Sequence, residues 1–224
     1  MIRQINGNVI KLNDMKTDDA LKILDILDKK FPDAHCELGF ETPFELLVAT
    51  VLSAQCTDVR VNKVTSELFK VAKTPEDFAA MPIETLQKYI YSCGFYKNKS
   101  ESIKALSKDI IERFGGNVPD NLEDLRTLRV VGRKTANVVF AEAFHGAAIA
   151  VDTHVFRVSN RLGLVNANTP EKTEDGLKEL LPESTWSRAH HLLIFLGRYQ
   201  CKSQNPDCEN CELSEYCEYF KNKI

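Results

Sequence analysis

The sequence contains no run approaching the roughly 18 apolar residues that a membrane-spanning helix requires. Its opening residues, MIRQINGNVIKLND, hold no apolar core of the kind a secretory signal needs. A soluble, intracellular protein of the cytoplasm is therefore expected, with no membrane partner. Low-complexity linkers and internal repeats are absent, and strand signals nearly so. Positive charge is not in excess either: the net charge is -3 and the pI is about 6.0, a balance that argues mildly against nucleic acid. The seven cysteines form no even framework, which points to a reducing compartment and a metal site and away from a disulfide scaffold.

What remains is a chain of 224 residues with 43% hydrophobic content, enough for one large or two modest packed domains. Almost every segment has helical periodicity. Thr17 is expected to cap a run with Leu21, Leu24, Leu27 and Phe31 on one face. Thr42-Pro43-Phe44-Glu45 is a capping box with proline at the first helical position, and Thr74-Pro75-Glu76-Asp77 repeats that logic. Ile103, Leu106, Ile110 and Phe114 form a stripe that stops at Gly115-Gly116; Thr169-Pro170 opens another helix, and Ser187 to Arg198 gives the last. An all-α fold follows. Charge is uneven within it. Lys97, Lys99, Lys104, Lys108, Arg113, Arg126, Arg129, Arg133 and Lys134 fall in one stretch against six acids, a local basic surface sufficient for phosphate contact.

The stretch 125–154, LRTLRVVGRKTANVVFAEAFHGAAIAVDTH, organises the rest. Residues 122, 125 and 128 are apolar at helical spacing, and 136–144 is a second apolar helical run, so VVGR between them is a tight turn. Lys134 then sits in the first turn of the second helix. That end of a helix has unpaired N–H groups and a partial positive charge, favouring an anion and disfavouring an ammonium. Only a neutral amine attacks carbon, so the position suits a nucleophile; a phosphate contact is the plainer alternative. Asp152 could be a general base or stabilise positive charge, and equally an N-cap.

Cys201, Cys208, Cys211 and Cys217 have the spacing C-x6-C-x2-C-x5-C. Four thiolates at that density suit tetrahedral zinc or an iron-sulfur cluster. A single short pair, where structural zinc usually has two, tilts the choice away from zinc.

VGRKTANVV followed by AVDTHVFRV resembles the endonuclease III family of DNA repair glycosylases, in the helix-hairpin-helix superfamily, and the likeness extends over nearly the whole chain. The resemblance implies two all-α domains: a six-helix bundle with the hairpin at 36–146, and an iron-sulfur cluster domain made of 1–35 plus 147–224. It implies that Lys134 and Asp152 are the catalytic pair on opposite lips of a cleft. It further implies that the four cysteines hold a [4Fe-4S] cluster that folds a loop and takes no part in base removal. The expected activity is excision of oxidised pyrimidines from duplex DNA, followed by cleavage of the abasic site through a lysine Schiff base. The expected partner is duplex DNA carrying damaged bases or abasic sites, met by a monomer associated with the nucleoid through that DNA. In such a protein Gln55, in LSAQCTD, enters the duplex and fills the space of an extruded base; Phe95, in YSCGFYKNKS, wedges into the stack. Each also has a plainer reading, as a cap and as a core residue. The hairpin contacts fall on Arg129, Val131, Gly132, Arg133 and Thr135. Related monofunctional adenine glycosylases lack the lysine and carry an acid in the helix preceding LSAQ; here Lys134 is present and 49–54 has no acid.

Two departures from the family pattern stand out. Its hairpin reads Leu-Pro-Gly-Val-Gly, where this chain has Leu128-Arg129-Val130-Val131-Gly132. If the first glycine position needs a positive φ, a β-branched residue there costs on the order of 1 to 2 kcal/mol or forces another turn. Arg129 could compensate by a direct phosphate contact. The loop KSQNPD between the first two cluster cysteines is also poor in bases, with Lys202 opposed by Asp207.

Overall fold

A computed structural model describes residues 2–5, 8–11 and 15–222. Contacts divide the chain into two compact units, one made of 1–35 and 147–224 and the other of 36–146.

In the 36–146 unit the first helix, α2 (Pro43–Ser53), is buried along almost its whole length, from Phe44 to Ala49 and again at Leu52. A helix apolar on all sides belongs inside, and α3 (Asp58–Leu68), α6 (Tyr96–Phe114) and α8 (Arg133–Phe144) pack against it. Its start follows the sequence signal: Thr42 Oγ1 accepts from Glu45 N at 3.1 Å, and Glu45 Oε2 accepts from Thr42 N at 3.3 Å. The same reciprocal box, Thr74 with Asp77, opens α4 (Pro75–Ala80). Pro82 separates α4 from α5 (Ile83–Ile90), because proline cannot continue a helix. With α7 (Leu122–Thr127) this unit holds seven α-helices, where the resemblance implies six. A short 3-10 turn, Tyr91–Cys93, precedes α6. The stripe Ile103, Leu106, Ile110 is fully buried, and the helix stops at Gly115.

The other unit is built around α9 (Thr153–Leu162), which contacts α10 (Pro170–Leu180), α11 (Trp186–Tyr199) and α12 (Glu218–Lys221). Helix α1 (Thr17–Lys30) packs on α11, and Ile23, Leu27, Val155, Val158, Leu192 and Leu196 share one core. Arg188 of α11 fastens the end of α1. It donates to Asp28 Oδ1 at 2.6 Å, Phe31 O at 3.1 Å and Pro32 O at 2.9 Å.

Three details differ from expectation. Lys16 is the N-cap of α1 and makes no side-chain cap bond, so Thr17 is the first helical residue and not the cap. Helix α12 lies beyond α11, which is therefore not the last. Lastly, the chain opens with an antiparallel pair, β1 (Ile2–Ile5) and β2 (Asn8–Lys11), in register Ile2 with Lys11 and Ile5 with Asn8. The sequence carried that signal in Asn6-Gly7, the dipeptide most favourable to a two-residue hairpin turn. Among the described residues the fold is otherwise all-α, and none of the helices is long and apolar enough to cross a membrane.

Candidate functional site

The hairpin formed by α7 and α8 is anchored from below. Leu125, Leu128, Val131, Ala136 and Val139 are buried. Above them the turn closes by Leu128 N to Leu125 O and Val131 N to Leu128 O, both at 3.2 Å. Arg126 Nη2 joins the helices by donating to Asn137 Oδ1 at 3.3 Å. Val131 therefore has its side chain in the core and its N–H in the turn, and Val130 stands half exposed with φ +61°. The positive φ expected of the family's glycine is retained here by a β-branched residue. Arg129 is exposed, and its N–H donates to Asp109 Oδ2 at 3.0 Å.

Helix α8 starts at Gly132 without a side-chain cap and without an acid in its first turn. Arg133, Lys134 and Thr135 occupy that turn, and Lys134 is exposed with no hydrogen bond or ion pair among the described residues. Its amine is thus available to a ligand, beside backbone donors suited to phosphate. In the other unit, Asp152 is the N-cap of α9: Oδ1 accepts from His154 N and Val155 N, both at 2.8 Å. The plain reading of this residue is therefore correct, and it leaves Oδ2 outside both bonds.

Two loops of the 36–146 unit carry the remaining candidates. Gln55 lies exposed between α2 and α3 with φ +53°, and Phe95 is 66% exposed just before α6 with φ +47°. A large apolar side chain held out in solvent on a left-handed backbone is costly twice over, so core packing is not its role. Sequence reasoning missed what joins these loops. Lys99, only 6% exposed, donates to Leu52 O at 2.8 Å and Cys93 O at 2.7 Å, and burial pulls its ammonium below the ordinary lysine range. Lys104 likewise turns inward, to Ala79 O and Met81 O at 2.7 and 2.5 Å. These two lysines leave the expected basic surface. No local pattern marks them, since Leu52, Ala79 and Met81 are distant in sequence and Cys93 O falls outside the helical repeat.

Cys201, Cys208, Cys211 and Cys217 lie on the segment after α11, none of them in a disulfide. Cys211 feels the charge of Cys201 and Cys208, and Cys217 that of Cys201 and Cys211; burial pushes both thiols up, while backbone N–H groups of Leu213, and of Phe220 and Tyr219, pull them down. Arg161 Nη1 donates to Cys201 Sγ at 3.4 Å and to Lys202 O at 2.7 Å. Four thiols on one short segment, linked through Cys211 and Cys217 and with Arg161 donating to Cys201, have the chemistry of a shared cluster. Among the described residues no three His, Cys, Asp or Glu side chains are arranged to hold a single metal ion.

A hairpin with an open, basic helix start defines a class, and residues 48–183 match it: the HhH-GPD superfamily of base excision DNA repair proteins. Endonuclease III of Bacillus subtilis (strain 168) is 52% identical over 195 residues, covering 87% of this chain and 89% of that protein. Endonuclease III of Escherichia coli (strain K12) is 42% identical over 210 residues, covering 94% and 99%. A solved structure described as a trapped endonuclease III-DNA covalent intermediate, an estranged-adenine complex, superposes with a TM-score of 0.88 at 47% identity, covering 93% of this chain and 99% of that one. The chain belongs to the endonuclease III family.

Proposed function

We propose that this protein is a bifunctional DNA glycosylase and abasic-site lyase of base excision repair, acting on oxidised pyrimidines in duplex DNA. The observation that carries the reading is the exposed, unpaired Lys134 at an uncapped helix start, in a chain whose relative was trapped covalently on DNA.

The neutral Lys134 amine attacks the anomeric carbon of the extruded nucleotide, and the C–N bond to the base breaks with the electron pair leaving on the base. The amine loses its protons as the sugar ring opens, leaving a Schiff base. Its iminium form acts as an electron sink: a proton leaves the neighbouring sugar carbon, and the 3′ phosphate departs by β-elimination. Asp152 stabilises positive charge on the sugar while the base departs. Gln55 fills the vacated space, Phe95 wedges beside it, and these contacts offset the few kcal/mol of unstacking. Arg129, Gly132, Arg133 and Thr135 meet phosphates, and Val131, whose N–H is held by Leu128 O, shapes the turn that presents them. The 36–146 unit is then the hairpin domain that grips the duplex.

The 1–35 and 147–224 unit is the cluster domain, with Cys201, Cys208, Cys211 and Cys217 as ligands of a [4Fe-4S] cluster. That group, when bound, supplies a covalent tie for the segment after α11, and base removal itself involves no electron transfer. Working on DNA, the protein would be found with the nucleoid.

Borohydride reduction during incubation with an abasic duplex tests the chemistry, because it fixes the Schiff base as a stable amine. A covalent protein-DNA band is expected, and Lys134→Ala should lose both that band and strand cleavage. A Lys134→Ala protein that still traps would assign the nucleophile elsewhere. A panel of duplexes with single oxidised bases reads the substrate class, and a panel left intact would overturn the assignment to oxidised pyrimidines.

A further inference from the structure

Gln55 and Phe95 are exposed on left-handed backbone, at φ +53° and +47°. Strain of that kind persists only where surrounding contacts fix it. Each residue follows the end of a helical segment, where the last carbonyls lack an intrahelical partner: Leu52 lies in the last turn of α2, and Cys93 closes the 3-10 turn Tyr91–Cys93. Helix α2 has no basic residue of its own in that last turn. Lys99 of α6 supplies one from elsewhere, its Nζ donating to Leu52 O at 2.8 Å and to Cys93 O at 2.7 Å, across 47 and 6 residues of sequence. Its backbone N–H donates to Phe95 O at 3.0 Å. One residue thus holds the segment ending before Gln55, the turn ending before Phe95, and Phe95 itself.

Leu52, Cys93 and Lys99 are all buried. An ammonium closed off from water and hydrogen-bonded to neutral carbonyls is a costly way to fill a core; methionine would occupy the same space without the charge. What the charge adds is attraction to two carbonyl ends at once, the arrangement that favours a cation at the end of a helix. We propose that Lys99 is a positioning residue for base extrusion: its ammonium ties the carbonyl ends that precede the two loops and so fixes the separation at which Gln55 and Phe95 meet the duplex.

The inference rests on the function proposed above, in which those two side chains enter the stack. Closed off from solvent, Lys99 acts only through them, and neither Lys134 nor Asp152 is among its hydrogen-bond partners. Without the tie each loop relaxes independently of the other. Gln55 and Phe95 then meet the stack at a varying separation, and less of the unstacking cost is offset.

The test compares Lys99→Met, the pair Gln55→Ala with Phe95→Ala, and the triple variant in single-turnover excision of an oxidised pyrimidine from duplex DNA, each as cluster-loaded protein. Methionine keeps the length of the side chain and removes its charge and donors. Lys99→Met should excise on the order of 10- to 100-fold more slowly, with a single cooperative melting transition retained. The triple variant should be no slower than the pair, because a residue acting only through those side chains adds nothing once they are gone. A residue that merely stabilises the fold would slow the triple variant further, and that outcome overturns the proposal, as does a Lys99→Met protein excising at the wild-type rate. Should Lys99→Met not fold, Lys99→Gln, which keeps a donor and loses the charge, takes its place in the same cycle. Hydrogen exchange supplies a readout without DNA: amides of 53–57 and 93–97 should exchange faster in the Lys99 variant while those of α8 keep their wild-type rates, and a rise spread evenly over 36–146 overturns the tie. If the wild-type protein excises no oxidised pyrimidine, the function proposed above fails, and the exchange pattern still decides whether Lys99 ties the loops.

Discussion

The consecutive helices α8 and α9 begin in opposite ways. Helix α9 is closed by its own chain, with Asp152 Oδ1 taking two backbone N–H groups. Helix α8 opens on Gly132 with no cap and no acid, and two bases stand in its first turn. By the ordinary rules of helix stability the second start is the worse one, since a missing cap costs about 0.5 to 2 kcal/mol and a cation at the positive end of the dipole adds to that. Burial of Leu128, Val131, Ala136 and Val139 holds the hairpin regardless. Folding energy from the core thus keeps one helix start open, while the start of the next helix in the chain is occupied by an internal carboxylate.

The comparison breaks most visibly at Asp152, where the observed cap and the proposed chemical role fall on one side chain. Asparagine caps a helix about as well as aspartate, so Asp152→Asn should unfold near the wild-type temperature while excision slows by roughly 10²- to 10⁴-fold. Asp152→Ala should lose the same activity and also about 1 kcal/mol of stability, a midpoint lower by about 2 to 4 °C. Paired thermal melts and single-turnover assays separate the two. An asparagine variant excising at the wild-type rate would leave Asp152 a cap and nothing else.

The converse change closes α8. Gly132 is extended, at φ -84° and ψ 176°, and a Cβ there meets nothing within 4 Å, so Gly132→Asp should fold and cap the helix. Stability should rise by about 0.5 to 1 kcal/mol from cap and dipole together. Duplex affinity should fall on the order of tenfold, because the new carboxylate occupies the donors a phosphate would use. A titration in which affinity and stability rise together would show that α8 does not receive phosphate.

How far the sequence revealed these features depends on the range of the interaction. Thr42 with Glu45, Thr74 with Asp77 and the α6 stripe were legible because cap and periodicity are local codes. The hairpin turn before Lys134 was legible for the same reason, as two apolar periods out of phase. Asp152 could be read only as an alternative, since capping and catalysis ask for the same residue at the same place. Lys99 and Lys104 were read as surface charge. Each depends on partners brought near by the packing of α2 and α4 against α6, which no periodicity encodes. Arg188 illustrates the same limit: its partners Asp28, Phe31 and Pro32 belong to a segment on the far side of the whole 36–146 unit in sequence. Asn6-Gly7 is different, a local signal that was present and went unread beside the helical remainder.

The smallest expected effect lies at Val130, in the turn just before the open start. A β-branched residue at φ +61° carries on the order of 1 to 2 kcal/mol of strain, and with half its surface exposed little burial offsets it. Glycine removes the strain but gains freedom in the unfolded chain, a loss of about 0.4 to 1 kcal/mol. Val130→Gly should therefore leave stability unchanged or raised by about 1 kcal/mol, a difference visible in a denaturant midpoint. Removing the isopropyl group also clears the approach to the hairpin backbone, so duplex affinity at fixed salt should increase while the rate constant for excision stays constant. Unchanged or weaker binding would mean that valine does not obstruct the phosphate, and that Arg129 or the uncapped end of α8 already supplies what the family draws from its glycine.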